Sequence, residues 1–210
     1  MGAKGLQTRR RLIEATGELL KVKPLRELRV ADIAKAAKTS TSTFYLYFQD
    51  VPEAVLAVIA QVSQSTPEFL TQLSQPWPEE EAYDRAQYFV ETYIDYMQAH
   101  GALFRVRNMA ADEGDERFLS ARASSVTPLL DALAARIEER QRAGGVPADL
   151  HPLSTAGALL AMIERVAVIP QVTFGRRGIS RDRVVHAAAF FAAVVLGGSA
   201  AVGKTPAGFE

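Results

Sequence analysis

Residues 29–48, RVADIAKAAKTSTSTFYLYF, constrain this chain more than any other stretch. Val30, Ile33, Ala34 and Ala37 recur at i, i+3, i+4 and i+7, which places four apolar groups on one helical face. The polar run Lys38-Thr39-Ser40 then interrupts that period without a proline. A second short segment follows, with Phe44 and Phe48 one turn apart and Thr41, Ser42, Thr43 and Tyr45 on its other faces. Two short helices joined by so tight a turn predict a helix-turn-helix, whose second helix enters the major groove of DNA. Its side chains suit a groove reader, because hydroxyls pair with several base edges, a Thr methyl meets a thymine methyl, and a Tyr reaches a phosphate or a base.

The flanking residues extend the pattern. Residues 1–7 are expected to form a mobile arm, and a helix from about Thr8 to Lys21 turns Leu12, Ala15 and Leu19 inward. Arg9, Arg10 and Arg11 open that helix, where positive charge opposes the helix dipole unless an anion such as a DNA phosphate neutralises it. Downstream, Asp50 and Glu53 have capping-box spacing ahead of the stripe Val51, Val55, Val58, Ile59 and Val62. Pro67 is expected to kink this helix or to end its first segment. The chain has no net charge, yet residues 1–50 hold ten Lys/Arg against five Asp/Glu, a balance of +5, and the remainder carries −5. A basic head on an acidic body fits a DNA-binding domain joined to one that does not bind DNA.

At these residues the chain resembles the amino-terminal domain of the tetracycline-repressor (TetR) family of bacterial transcription regulators. The matching pattern runs from Val30-Ala31-Asp32-Ile33-Ala34 through Ala36-Ala37 and Ser40 to Thr43-Phe44-Tyr45-Leu46-Tyr47-Phe48, and the resemblance covers roughly residues 8–60. Four positions depart from it: Lys38 stands for the usual turn glycine, Arg29 for a capping hydroxyl, Val51 for a phosphate-binding lysine, and Ser42 for a small glycine-like residue. The resemblance implies an all-α protein, with a three-helix DNA-binding domain over residues 1–50 and a helical effector-binding and dimerisation domain over 51–210. Pattern and resemblance together assign DNA contact to Arg9, Arg10, Arg29, Lys38, Ser40, Thr41, Ser42, Thr43, Tyr45 and Tyr47.

Beyond residue 60 the apolar periods are helical. Pro76-Trp77-Pro78 forms a loop whose Trp either closes over a ligand or packs at a domain seam. Ala82, Ala86, Phe89, Val90, Tyr93 and Met97 share one face of a helix ending near His100, with Gly101 as its C-cap residue. A shorter helix carries Phe104 and Met109, and the acidic loop 112–116 lacks the spacing of a calcium loop. A helix from about Glu116 to Arg142 turns Leu119, Val126, Leu130, Leu133 and Ile137 inward and is bent at Pro128. Residues 153–169 and 186–202 are apolar nearly all round, so they need cover on several sides, and a second copy of the chain supplies it. Relatives in the family dimerise through their last two long helices. Gly157, Ala158, Ala188 and Ala192 would permit close approach there, over an interface on the order of 1,500 Å².

An enzyme is not expected. No nucleophile elbow, zinc-binding, P-loop or dinucleotide motif is present, and His100, His151 and His186 lie far apart at predicted helix ends, suited to capping rather than metal binding. No cofactor is called for. The absence of cysteine and of an apolar leader points to the cytoplasm, and neither late apolar segment makes a convincing membrane span. The leading expectation is a homodimeric repressor released from a palindromic operator by a small apolar or aromatic ligand; the alternative is a DNA-binding dimer without an effector, governed by abundance or a protein partner. Tyr93, Met97, Phe104, Met109, Met162 and Phe174 either line the ligand site or are plain core. Glu164 and Arg165 either recognise a polar ligand group or form a buried or interfacial ion pair.

Overall fold

A computed structural model describes residues 2–64, 66–169, 175 and 178–197. Every long element among the described residues is α-helical. The chain divides into two compact units, one of residues 1–65 and 100–125, the other of 66–99 and 126–210.

The first unit holds α1 (Ala3–Leu20), α2 (Val30–Ala36), α3 (Thr41–Tyr45), α4 (Val51–Val62), α7 (Gly101–Asp112) and the start of α8 (Glu116–Arg142). Its centre is made by Leu12, Ile33, Phe44 and Val55, each at 0 % exposure, with Phe48 at 2 %. The helix-turn-helix spacing thus delivers its apolar face to one core, and α1 and α4 close over it. α1 begins at Ala3 rather than near Thr8, so residues 3–7 are helix and not a mobile arm. The reason is local: Gly5 and Leu6 donate backbone N–H groups to Gly2 O, and the Thr8 hydroxyl bonds back to Lys4 O at 3.0 Å instead of capping a new helix.

Asp50 caps α4 by accepting the Glu53 N–H at 2.7 Å, while the Glu53 carboxylate reaches back to the Gln49 N–H at 2.5 Å. α4 ends at Val62 with Ser63 as its C-cap, so Pro67 neither kinks nor ends it; Pro67 instead precedes a separate helix, α5 (Glu68–Ser74). Gly101 starts α7 rather than closing the helix before it; His100 O already accepts the Phe104 N–H at 3.0 Å.

In the second unit, α5, α6 (Ala82–Ala99), α9 (Pro152–Val168) and α10 (Arg181–Leu196) pack together, with α6 against each of the other three. The face of α6 read from the periodicity is buried throughout: Ala82, Ala86, Phe89, Val90, Tyr93 and Met97. α8 also contributes, through Leu129, Leu133 and Ile137. Its start is turned by one position from expectation, since Phe118 is fully buried and Leu119 is exposed; Val126 and Leu130 are half-buried. Pro128 lies inside the continuous helix.

Trp77 is buried within this unit, donating its indole N–H to Gln72 O at 3.1 Å beneath the Arg136 guanidinium, 5.0 Å from the ring centroid. That packing removes the option of a ring free to close over a ligand. His151 caps α9 by accepting the Ser154 N–H. His186 lies inside α10 rather than at its start, with Nδ1 2.5 Å from the Tyr83 hydroxyl of α6. Among the described residues no helix is long and apolar enough to cross a membrane.

Candidate nucleic-acid interface

The turn between α2 and α3 is built around a left-handed residue. Lys38 has φ 53°, the region that favours glycine. Thr39 N–H reaches Ala34 O at 2.9 Å and Lys38 N–H reaches Lys35 O at 3.1 Å, the paired bonds that close a helix and satisfy its last carbonyls. Holding Lys there in place of Gly costs about 1 kcal/mol, and its side chain is left exposed at the turn.

Ser40 then starts α3. Its Oγ accepts the Thr43 N–H at 3.1 Å and lies 2.8 Å from Ser42 Oγ and 2.9 Å from Thr43 Oγ1. Ser40 is therefore a helix cap, and Thr43 is half-buried with its hydroxyl turned toward that cap. Phe44 and Phe48, with ring centroids 5.5 Å apart, pin the segment to the core. Thr41, Ser42, Tyr45 and Leu46 are left in solvent. Leu46, at 79 % exposure, is an outward apolar group on the same segment that a reading for polar groups passes over. The signal is present in the spacing: once Phe44 and Phe48 point inward, Leu46 must point away. A large apolar group held in water beside hydroxyls suits contact with thymine methyls. Tyr47 is half-buried and packs against the core cluster.

The cations fall into distinct settings. Arg9 is half-buried with its guanidinium 5.3 Å from the Phe48 ring centroid, which sets it beside the segment that carries α3. Arg10 pairs with Glu14 at 3.3 Å in solvent, a link weak enough to be exchanged for a phosphate. Arg29 is exposed at the start of α2. It has no acceptor to offer the helix; instead its own N–H is taken by Asp32 at 3.2 Å. Lys23, ion-paired to Asp32 at 3.1 Å, holds that carboxyl below its ordinary range, and the Arg29 N–H adds to the effect.

The other expected sites are only partly brought together. Tyr93, Met97, Met162, Glu164 and Arg165 lie in the second unit, whereas Phe104 and Met109 lie in the first; Phe174 is outside the described residues. Tyr93 is buried, donates its hydroxyl to Glu164 at 3.2 Å, and stacks edge-on to Phe69 at 5.1 Å. Met97 is buried and Met162 half-buried. Arg165 is exposed, so it forms no buried pair with its neighbour Glu164. Phe104 is buried under the Arg107 guanidinium at 4.7 Å, and Met109 is 53 % exposed.

Of the small residues expected at a dimer seam, Gly157 is half-buried and Ala158 exposed on α9. Ala188 and Ala192 are buried inside the unit, on the face of α10 that packs along α6, and so are not open to a second copy. The outward faces carry larger groups instead: Phe190 and Phe191 on α10, Leu153 and Val168 on α9.

Comparison with known proteins places these features. Residues 12–50 match the family described as bacterial regulatory proteins, tetR family, and residues 69–200 match the tetracyclin repressor-like C-terminal domain. The chain is 27 % identical over 170 residues to the uncharacterized HTH-type transcriptional regulator YdgC of Bacillus subtilis (strain 168), covering 79 % of this chain and 82 % of that one. A transcriptional regulator from Saccharomonospora viridis, solved in complex with choline, shares the fold at TM-score 0.69 and 20 % identity over 87 % of this chain and 94 % of that one. A tetR-family regulator from Streptomyces coelicolor does so at TM-score 0.68 and 17 % identity, over 93 % and 82 %. With both the groove-reading head and the helical body matched, the chain belongs to the tetracycline-repressor family of DNA-binding transcriptional regulators.

Proposed function

We propose that this regulator is a homodimeric repressor that holds a palindromic operator with two copies of α3 and lets go when a small molecule occupies its second unit. The observation that carries the DNA-reading part is the anchoring of α3. Phe44 and Phe48 are fully inside, so Thr41, Ser42, Tyr45 and Leu46 are presented outward on a rigid support. Base contacts fall to these four and to Thr43; phosphate contacts fall to Arg9, Arg10, Arg29, Lys38 and Tyr47, while Ser40 sets the helix start.

The dimer is supported by the apolar groups left in water on neighbouring helices, among them Phe191 at 54 % and Val168 at 55 % exposure. Large apolar groups left exposed on packed helices favour an interface reading. Gly157 and Ala158 let the partner approach; Phe190 and Phe191 take the role first expected of Ala188 and Ala192. Two heads joined in this way would meet successive major grooves, about 34–36 Å apart.

An effector is supported by the choline held in the S. viridis relative and by the aromatic cluster of Phe69, Phe89, Tyr93 and Tyr96 beside Glu164. A ligand acts only through its difference in affinity between the DNA-competent state and the other state. The competing arrangement, a dimer without an effector, predicts operator binding that no small molecule shifts. Binding-site selection from random duplexes, followed by measurement of mass in solution, tests the reading. A symmetric consensus and a dimer are expected; an asymmetric or absent consensus, or a monomer, would refute it.

A further inference from the structure

The first unit contains a cleft that the DNA-reading role does not use. It has a volume of about 530 Å³ and lies between the end of α1, the following loop with its short turn at Leu25–Glu27, and one face of α7. Its floor is apolar, made by Leu20, Val106 and Ala110, all largely buried. Two apolar groups stand at its edge in water, Val22 at 78 % and Met109 at 53 % exposure. Four cations, Lys21, Lys23, Arg26 and Arg105, line it against a single carboxylate, Glu113.

The charges are available. Lys21 is engaged with Glu18 and Arg26 with Glu27, both pairs in solvent and therefore readily exchanged, whereas Lys23 is held by Asp32 at 3.1 Å and adds only its field. Arg105 is exposed and has no ion pair among the described residues. A DNA backbone would use the cations but has nothing to place on Leu20, Val106 and Met109. A neutral apolar molecule would use the floor and leave the cations idle. An apolar body ending in one anionic head satisfies both, and the volume is that of an ordinary small-molecule site.

We infer that this cleft is a binding site for a small amphipathic carboxylate, with its head at Arg105 and Lys21 and its body against Leu20, Val106, Val22 and Met109. The site is lined wholly by residues of the DNA-reading unit, so it stands or falls independently of the proposed repressor function. Because Lys21 to Arg26 form the connection from α1 into α2, occupancy bears directly on the helix-turn-helix.

The full-length protein is titrated calorimetrically with decanoate, with 4-phenylbutyrate and with decanol. One carboxylate should bind, decanol on the order of tenfold more weakly, and the two carboxylates distinguish an alkyl from an aromatic body. Arg105→Gln and Met109→Glu, both at exposed positions, should each weaken carboxylate binding on the order of tenfold, while Arg122→Gln, in the same unit but outside the cleft, leaves it unchanged. A photoreactive diazirine analogue of decanoate should label residues 20–26 and 102–113. Failure of both carboxylates to bind, equal binding of decanol, or labelling confined to the second unit would each overturn the assignment. So would a loss of DNA affinity in Arg105→Gln without any carboxylate binding, which would give these cations to DNA phosphate.

Discussion

Arg117 Nη1 donates to Asp50 Oδ2 at 3.1 Å, while the other oxygen of the same carboxylate accepts the Glu53 N–H that starts α4. Arg117 also grips Asp115 at 2.9 Å, so one guanidinium links the first turn of α8 to the cap of the helix that follows the DNA-reading segment. Asp115 and Asp50, in that order, push the Arg117 guanidinium further toward its charged form, and Arg117 in turn holds the Asp115 carboxyl below its ordinary range. The two halves of the arrangement are separable. Asp50→Ala should lose about 1 kcal/mol through the missing cap. Arg117→Ala, which breaks only exposed pairs, should lose less than about 1 kcal/mol. Urea unfolding of the two variants and of the double variant gives the coupling; equal losses in both singles would contradict the division.

Lys38 offers opposite effects on stability and binding. Its φ of 53° is free for glycine, so Lys38→Gly should raise stability by up to about 1 kcal/mol. If its charge meets a phosphate, the same change weakens binding on all sequences and lowers the log–log salt slope by about 0.9. Thermal unfolding and DNA titrations at several salt concentrations read the two effects separately.

Gly197 is required for space rather than for its backbone angle. A Cβ there would lie 2.5 Å from the Ala82 Cβ and 2.8 Å from Ala193 O, neither of which is the movable end of a long side chain. Gly197→Ala should destabilise by about 1–3 kcal/mol, whereas Gly157→Ala, which meets nothing within 4 Å inside the protomer, should be well tolerated by the fold. The second substitution bears on the proposed dimer: a rise in its dissociation constant with unchanged unfolding would mark Gly157 as an interface residue.

Asp32 shapes the acid limb of stability. Its carboxyl is held below the ordinary range by Lys23 and by the Arg29 N–H. A depressed folded value means that the stabilisation is complete above the unfolded value and is lost as pH falls through the folded one. Asp32→Asn should therefore reduce the difference in urea midpoint between about pH 6 and about pH 3; an unchanged difference would show that Asp32 has no such role.

The helix-turn-helix is legible in the sequence because its signals are local. One apolar face at helical spacing, a polar break and two phenylalanines one turn apart define both helices and the turn, but not the residues from α7 and the start of α8, such as Leu103, Val106 and Phe118, that complete the same core. What the sequence hides depends on backbone bonding or on direction. The early start of α1 rests on carbonyl bonds from Gly2 that no side chain announces. Gly101 has the composition of a helix end but sits at a start. In α10 the run AAAFFAA is apolar on every side, so spacing does not distinguish the face against α6 from the outward one; Ala188 and Ala192 go inward and Phe190 and Phe191 outward. Leu46, the proposed apolar contact, escapes any search that is confined to polar residues.

The most direct test is a hydroxyl-radical footprint of the full-length protein on its selected operator, with Leu46→Ala and Phe191→Glu alongside. Wild type should protect two half-sites one helical turn apart, about 34–36 Å between centres. Leu46→Ala should relax base preference within each half-site, and Phe191→Glu should abolish the paired pattern. A single protected site, or protection that Leu46 does not influence and that spreads evenly along the duplex, would contradict a paired groove reader built on α3.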